Sequence, residues 1–137
     1  LFYVEDAFHS DDYSSFALLN KKYGKRCLIC ADDLFASNPE RAEKGIKLDS
    51  ANAMILKPNQ VGTLSGTLET FKIAQANRVK VAVSHRSGET YDASIAHIAV
   101  GWRLPMIKTG VLGGERLAKL NELLRITEDY PMADLMF

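Results

Sequence analysis

The chain has almost no cysteine, little proline and no surplus of charge of either sign. Its two cysteines, Cys27 and Cys30, do not make a zinc site, because no second Cys or His pair stands at ligand spacing. A redox C-x-x-C opens a helix, whereas here the pair lies inside the apolar run 27-CLICA-31, so both thiols read as reduced core residues. Lysine plus arginine and aspartate plus glutamate both number 17, and a formal charge of zero provides no broad basic field for nucleic acid or an anionic membrane. No apolar run approaches the roughly 20 residues that span a bilayer, and the opening LFYVEDAF carries charges and no basic leader. Together these absences point to a soluble, cytoplasmic chain whose partner is a small molecule or a protein. There is no initiator methionine either, and the first residues already read as a strand, so a piece of something longer is expected.

What is present is one core's worth of apolar residues, 47% of 137, which suits one domain rather than two. Five short apolar stretches recur: 1-LFYV-4, 27-CLICA-31, 53-AMIL-56, 79-VKVAV-83 and 105-PMI-107. Their composition is that of strands buried on both faces. Between and after them lie helical patterns. Asp11 to Tyr23 places Phe16, Leu19 and Tyr23 together and ends at Gly24. Asn38 reads as an N-cap with Pro39 in the first helical position and Glu40 beside it. The segment 63–77 puts Leu64, Leu68, Phe71 and Ala74 on one face; 91–102 is a fourth helix, and 115–126 sets Leu117, Leu120 and Leu124 on one side. Strand then helix, five times, predicts an α/β chain of five consecutive βα units with a parallel sheet.

An ionisable residue follows each apolar stretch: Glu5, Asp32, Lys57, His85 one Ser beyond its stretch, and Lys108, at intervals of 27, 25, 28 and 23 residues. Parallel strands all end on one side, and in (β/α) barrels that side carries the active site. Any one of these residues has an ordinary structural explanation, and for Asp6 and Asp33 a helix cap or a solvated loop residue is expected. The joint register of five is what points to chemistry. Glu5 and Asp32 suit Mg²⁺, although two carboxylates are an incomplete shell. One of the lysines, Lys57 or Lys108, can act as a base if burial and neighbouring positive charge lower its pKa, while the other stabilises developing negative charge. Arg86 and Ser87 offer a fork of N–H donors and a hydroxyl to a phosphate. The implied reaction is metal-assisted proton abstraction from a phosphorylated carboxylic acid. The glycines of 110-GVLGGE-115 read as turn residues in preference to an anion cradle.

The strings 32-DDLFASNP-39, 57-KPNQVGTLSGTLE-69, 84-SHRSGET-90, 107-IKTG-110 and 115-ERLAKLNELLRI-126 resemble the C-terminal part of enolase, phosphopyruvate hydratase, in its archaeal forms especially. The resemblance implies the last five βα units of an enolase-type TIM barrel, a partial barrel over 1–137, with the N-terminal capping domain and first barrel strands missing. It assigns Glu5 and Asp32 to the Mg²⁺ site and Lys57 to the base that takes the C2 proton of 2-phosphoglycerate. Lys108 would face the substrate carboxylate and the enolate, His85 the leaving group, and Arg86 and Ser87 the phosphate; the product would be phosphoenolpyruvate, in glycolysis.

Two positions depart from the family pattern: Ala7 stands where proline is usual, and Pro58 stands where an aliphatic residue follows the base lysine, which suggests that the Lys57 loop is held differently. The third metal carboxylate and the glutamate general acid belong to the missing portion, so the chain alone is expected to be inactive. A non-catalytic binding or assembly module is the alternative. Under either reading, exposed sheet edges should pair with another copy or with the missing N-terminal portion.

Overall fold

The computed structural model describes residues 1–130. Its five strands are β1 (Tyr3–Glu5), β2 (Leu28–Ala31), β3 (Ala53–Leu56), β4 (Lys80–Ser84) and β5 (Met106–Lys108). They are parallel and lie in chain order, β1-β2-β3-β4-β5. The helices are α1 (Tyr13–Tyr23), α2 (Pro39–Lys47), α3 (Pro58–Val61), α4 (Leu64–Ala76), α5 (Ser94–Gly101) and α6 (Gly114–Asp129). All five expected strands and all five expected helices are present, and α3 is additional. Two compact units can be described, Leu1–Val81 and the residues from Ala82 on.

In the first unit Tyr3 pairs with Leu28, Glu5 with Cys30, and Cys30 with Ala53. Strand alternation then puts Tyr3, Glu5, Cys30, Ala53 and Ile55 on one face and Ile29, Ala31, Met54 and Leu56 on the other. β2 and β3 are buried, whereas β1 is half-exposed along its length and does not have two covered faces. The reason is its position at the end of the strand order, where nothing pairs its outer side among the described residues. The core is filled by Phe16, Leu34, Phe35, Ala42, Met54, Leu56, Phe71 and Ala74.

The caps follow the sequence reading for α2: Asn38 accepts from the Arg41 N–H, and Pro39 occupies the first turn, where its missing N–H is not needed. Asp12 caps α1 by accepting from the Ser15 N–H, so the helix starts two residues later than the pattern beginning at Asp11. Asn52 ties three segments together, since its amide donates to Gly24 O and Cys27 O while its side-chain oxygen accepts from the Ile29 N–H.

The expected face of α4 is only half right. Phe71 and Ala74 are buried, but Leu64 is 59% exposed and the threonines Thr67 and Thr70 are the fully buried residues. Their hydroxyls donate to Thr63 O and Ser37 O, which removes the cost of burying them.

In the second unit β4 and β5 pair through Ala82 with Met106, Val83 with Ile107 and Ser84 with Lys108. Ala96 of α5 and Leu123 and Ile126 of α6 pack with Val100, Ile107 and Leu120. The predicted face of α6 is displaced, because Leu117 and Leu124 are exposed and the buried residues are Lys119, Leu123 and Ile126. β5, like β1, is only partly covered. Gly110 (φ 72°) and Gly113 (φ 99°) take the left-handed backbone that turn glycines supply, in line with the reading of 110-GVLGGE-115 as a turn.

Candidate functional site

The first unit carries three of the five strand-end groups, Glu5, Asp32 and Lys57, with Asp6 and Asp33 beside them. Glu5 closes β1 instead of following it: the ladder runs on through the Asp6 N–H, which donates to Cys30 O. Its Oε2 accepts a 2.6 Å hydrogen bond from the Tyr3 hydroxyl, two residues back on the same face. Burial, helped by hydrogen bonds to Cys30 and Glu5, pushes the Tyr3 phenol well above its ordinary range, so Tyr3 acts as a donor that orients Glu5. Burial likewise pushes the Cys30 thiol up to about 12, against the opposing hydrogen bond from Tyr3. Such a thiol is neither a nucleophile nor a metal ligand. Both cysteines are free and buried.

Asp32 follows β2 directly and is 7% exposed. Its Oδ2 accepts from Lys57 Nζ at 2.6 Å. Its Oδ1 is buried with no hydrogen-bond partner among the described residues. Burial raises the Asp32 carboxyl above its ordinary value, Lys57 opposes this through its hydrogen bond and its charge, and Glu5 and Asp6 add to the rise. Carboxylate oxygens of Asp6, Asp32 and Asp33 lie within 4.8 Å of one another.

Asp6 is not a free loop residue: with φ 44° it turns back so that its two oxygens accept the Asp32 and Asp33 N–H groups, each at 2.9 Å. An orphaned, buried carboxylate oxygen beside further carboxylates is an all-oxygen donor set that fits a hard divalent cation. Glu5 stands outside the close triplet and acts on Asp32 through its charge.

Lys57 follows β3 and is itself the N-cap of α3, extended (φ −119°, ψ 101°) as a residue before proline must be. Pro58 opens α3 at a position where no N–H is required, so its effect is to start a one-turn helix immediately after the lysine. Ser37, which sequence reading passed over, fixes the Lys57 backbone: its hydroxyl accepts from the Lys57 N–H at 2.8 Å and donates to Gln60 Oε1 at 2.7 Å. Ser37 is buried with φ 55°, and the only sequence signal for it was its place in the string DDLFASNP.

In the second unit His85 follows β4, and both its backbone N–H and its ring Nδ1 meet Lys108 O, at 3.1 and 2.8 Å. A carbonyl oxygen only accepts, so Nδ1 carries a proton and Nε2 is left as the ring's variable nitrogen. Lys108 is the last residue of β5 and is exposed. Arg86 and Ser87 are exposed in the loop after β4, and the Arg86 N–H donates to Glu89 Oε1. The structure thus brings Asp32 to Lys57 directly and ties His85 to Lys108 through the backbone.

A profile of the family described as enolase, C-terminal TIM barrel domain, matches residues 1–134. The chain belongs to the enolase family. It is 54% identical over its full length to the protein called enolase in Methanothermobacter thermautotrophicus, covering 34% of that protein. It is 56% identical to the enolase of Methanosphaera stadtmanae, with 98% of this chain and 33% of the relative aligned. For Archaeoglobus fulgidus enolase the identity is 53%, over 93% of this chain and 32% of the relative. This enolase-family chain therefore spans about a third of the length of the curated relatives it matches.

Proposed function

We propose that the chain is the C-terminal part of the barrel of an enolase, a lyase that converts 2-phosphoglycerate to phosphoenolpyruvate in glycolysis, and that it needs the missing N-terminal portion to do so. Within the chain itself, the observation that carries the reading is the buried Asp32–Lys57 pair with one carboxylate oxygen left open. Asp32 and Glu5 would hold Mg²⁺ with Asp6 supporting the Asp32 backbone, and the bound cation would supply positive charge opposite the substrate's carboxylate.

Lys57 is the base. Its Nζ leaves Asp32 Oδ2 and gives up one ammonium proton to solvent, and the resulting amine takes the C2 proton, so that the C2–H electron pair passes to the substrate carboxylate as an enolate. Lys108 offers its ammonium to that developing charge. The C3–O bond then breaks and the hydroxyl leaves with a proton from an acid that is not in this chain. His85, with Nδ1 held by Lys108 O, presents Nε2 toward the leaving group. Arg86 and Ser87 bind the phosphate, the guanidinium through a planar pair of N–H donors.

The partner reading rests on the first unit. The outer side of β1 is unpaired among the described residues, Leu1 and Phe2 are 98% and 71% exposed, and a mostly apolar cavity of about 510 Å³ is lined by Leu1, Val4, Leu19, Tyr23, Arg26, Cys27 and Ile29. We take its occupant to be the missing enolase portion or, in its absence, a second copy. The test is to mix the chain with the N-terminal two thirds of the Methanothermobacter enolase, Mg²⁺ and 2-phosphoglycerate. Phosphoenolpyruvate should form in the mixture and not with the chain alone; a stable mixed complex without turnover favours a non-catalytic assembly module.

A further inference from the structure

Lys119 of α6 is one of the largest fully buried side chains, 1% exposed, in a helix whose leucines at 117 and 124 face solvent. All three of its ammonium donors are used: it is ion-paired with Glu89, donates to Thr90 O at 2.5 Å and donates to Glu115 O at 2.7 Å. Glu89 in turn uses Oε1 to accept the Arg86 N–H at 3.2 Å while Oε2 meets Lys119. The pair therefore reaches from the core of the second unit, through one carboxylate, to the backbone of the exposed segment that carries Arg86 and Ser87. Gly114, five residues before Lys119, lies against the Tyr91 ring, so that the chain just after the same segment also rests on α6.

A buried ion pair is a poor source of stability, because apolar residues of the same volume often do as well or better. What it supplies is direction, since both partners are fixed by hydrogen bonds that a methionine or leucine could not make. Arg86, Ser87 and Gly88 are exposed, so the hydrogen bond from the Arg86 N–H to Glu89 is a tie that holds their backbone to the core. We infer that Lys119 and Glu89 are positioning residues for the known reaction of the family, an internal strut that holds the 85–90 segment in the shape in which Arg86 and Ser87 meet the substrate phosphate. The inference rests on the proposed role of Arg86 and Ser87 as phosphate ligands.

Both claims can be separated in the 137-residue chain by hydrogen exchange and by amide chemical shifts on titration with inorganic phosphate. Lys119→Met should speed exchange across 85–90 at least about tenfold while the amides of Val81 to Val83 keep their protection. The same variant should weaken the phosphate response of the Arg86 and Ser87 amides. Glu89→Gln is the milder variant, read in the same way should α6 fail to form in Lys119→Met; the double variant should add little to either single one, because the two act as a unit. Unchanged exchange in Glu89→Gln, or phosphate binding equal to wild type in both variants, overturns the strut. A wild-type chain whose Arg86 and Ser87 amides ignore phosphate overturns their role as ligands, while the exchange data still decide whether Lys119 anchors the segment.

Discussion

Asp32 and Glu89 are both carboxylates paired with a lysine and burial raises both, yet their net shifts run in opposite directions. For Asp32 desolvation outweighs Lys57 and the carboxyl sits above its ordinary 3.8; for Glu89 the hydrogen bonds from Lys119 and Arg86 outweigh burial and it sits below 4.5. The consequence for stability has opposite signs. The contribution of Glu89 is complete above the unfolded value and is lost as pH falls through its lower folded value. Ionised Asp32 costs stability at neutral pH, a cost relieved as pH falls through its raised folded value.

A carboxyl NMR titration should find Asp32 titrating above 3.8 without metal, higher still in Lys57→Met, and lower when Mg²⁺ is added. An Asp32 value unmoved by Mg²⁺ would remove it from the cation site. In the sequence, Asp32 and Lys57 were visible as strand-end residues. Their direct pairing was not, because it depends on the register of β2 and β3 and on the Asp6 turn. Lys119 was invisible, since a lysine on an amphipathic helix ordinarily reads as a solvated face.

Elements were readable where local chemistry decides them, as at Asn38-Pro39 for the start of α2. They were misread where tertiary contacts choose the face. In α6 the leucines lie all round the helix, so periodicity could not tell Leu123 from Leu124. In α4 the threonines could be buried only because carbonyls wait for their hydroxyls.

Gly45 in α2 shows the same contest in energetic form. Helix propensity favours alanine over glycine by about 1 kcal/mol in a helix interior. A Cβ at Gly45, however, would sit 2.1 Å from Phe35 Cε1, and Phe35 is fully buried. Overpacking of a filled core costs about 1–3 kcal/mol, so Gly45→Ala should destabilise the first unit despite the propensity gain. Urea unfolding of the variant measures the balance, and a raised midpoint would show that Phe35 yields easily.

For the whole chain, the α/β class and the parallel order followed from five repeats of one pattern, each strand predicted within two residues of its place. What a parallel sheet with uncovered end strands implies was also visible: β1 and its apolar cavity should find a partner. Light scattering should show self-association of the isolated chain, reversed by Lys substitution at Val4 in β1; a monodisperse monomer at high concentration contradicts this. The central claim is narrower, that Lys57 takes the C2 proton in a site completed by the absent portion. It is tested most directly by the exchange of the C2 proton of 2-phosphoglycerate with solvent in the complemented enzyme. Removing a general base costs roughly 10²–10⁴ in rate, so Lys57→Ala should reduce exchange and turnover together by that order while the mixed complex still forms. Exchange in Lys57→Ala at the wild-type rate would contradict the account.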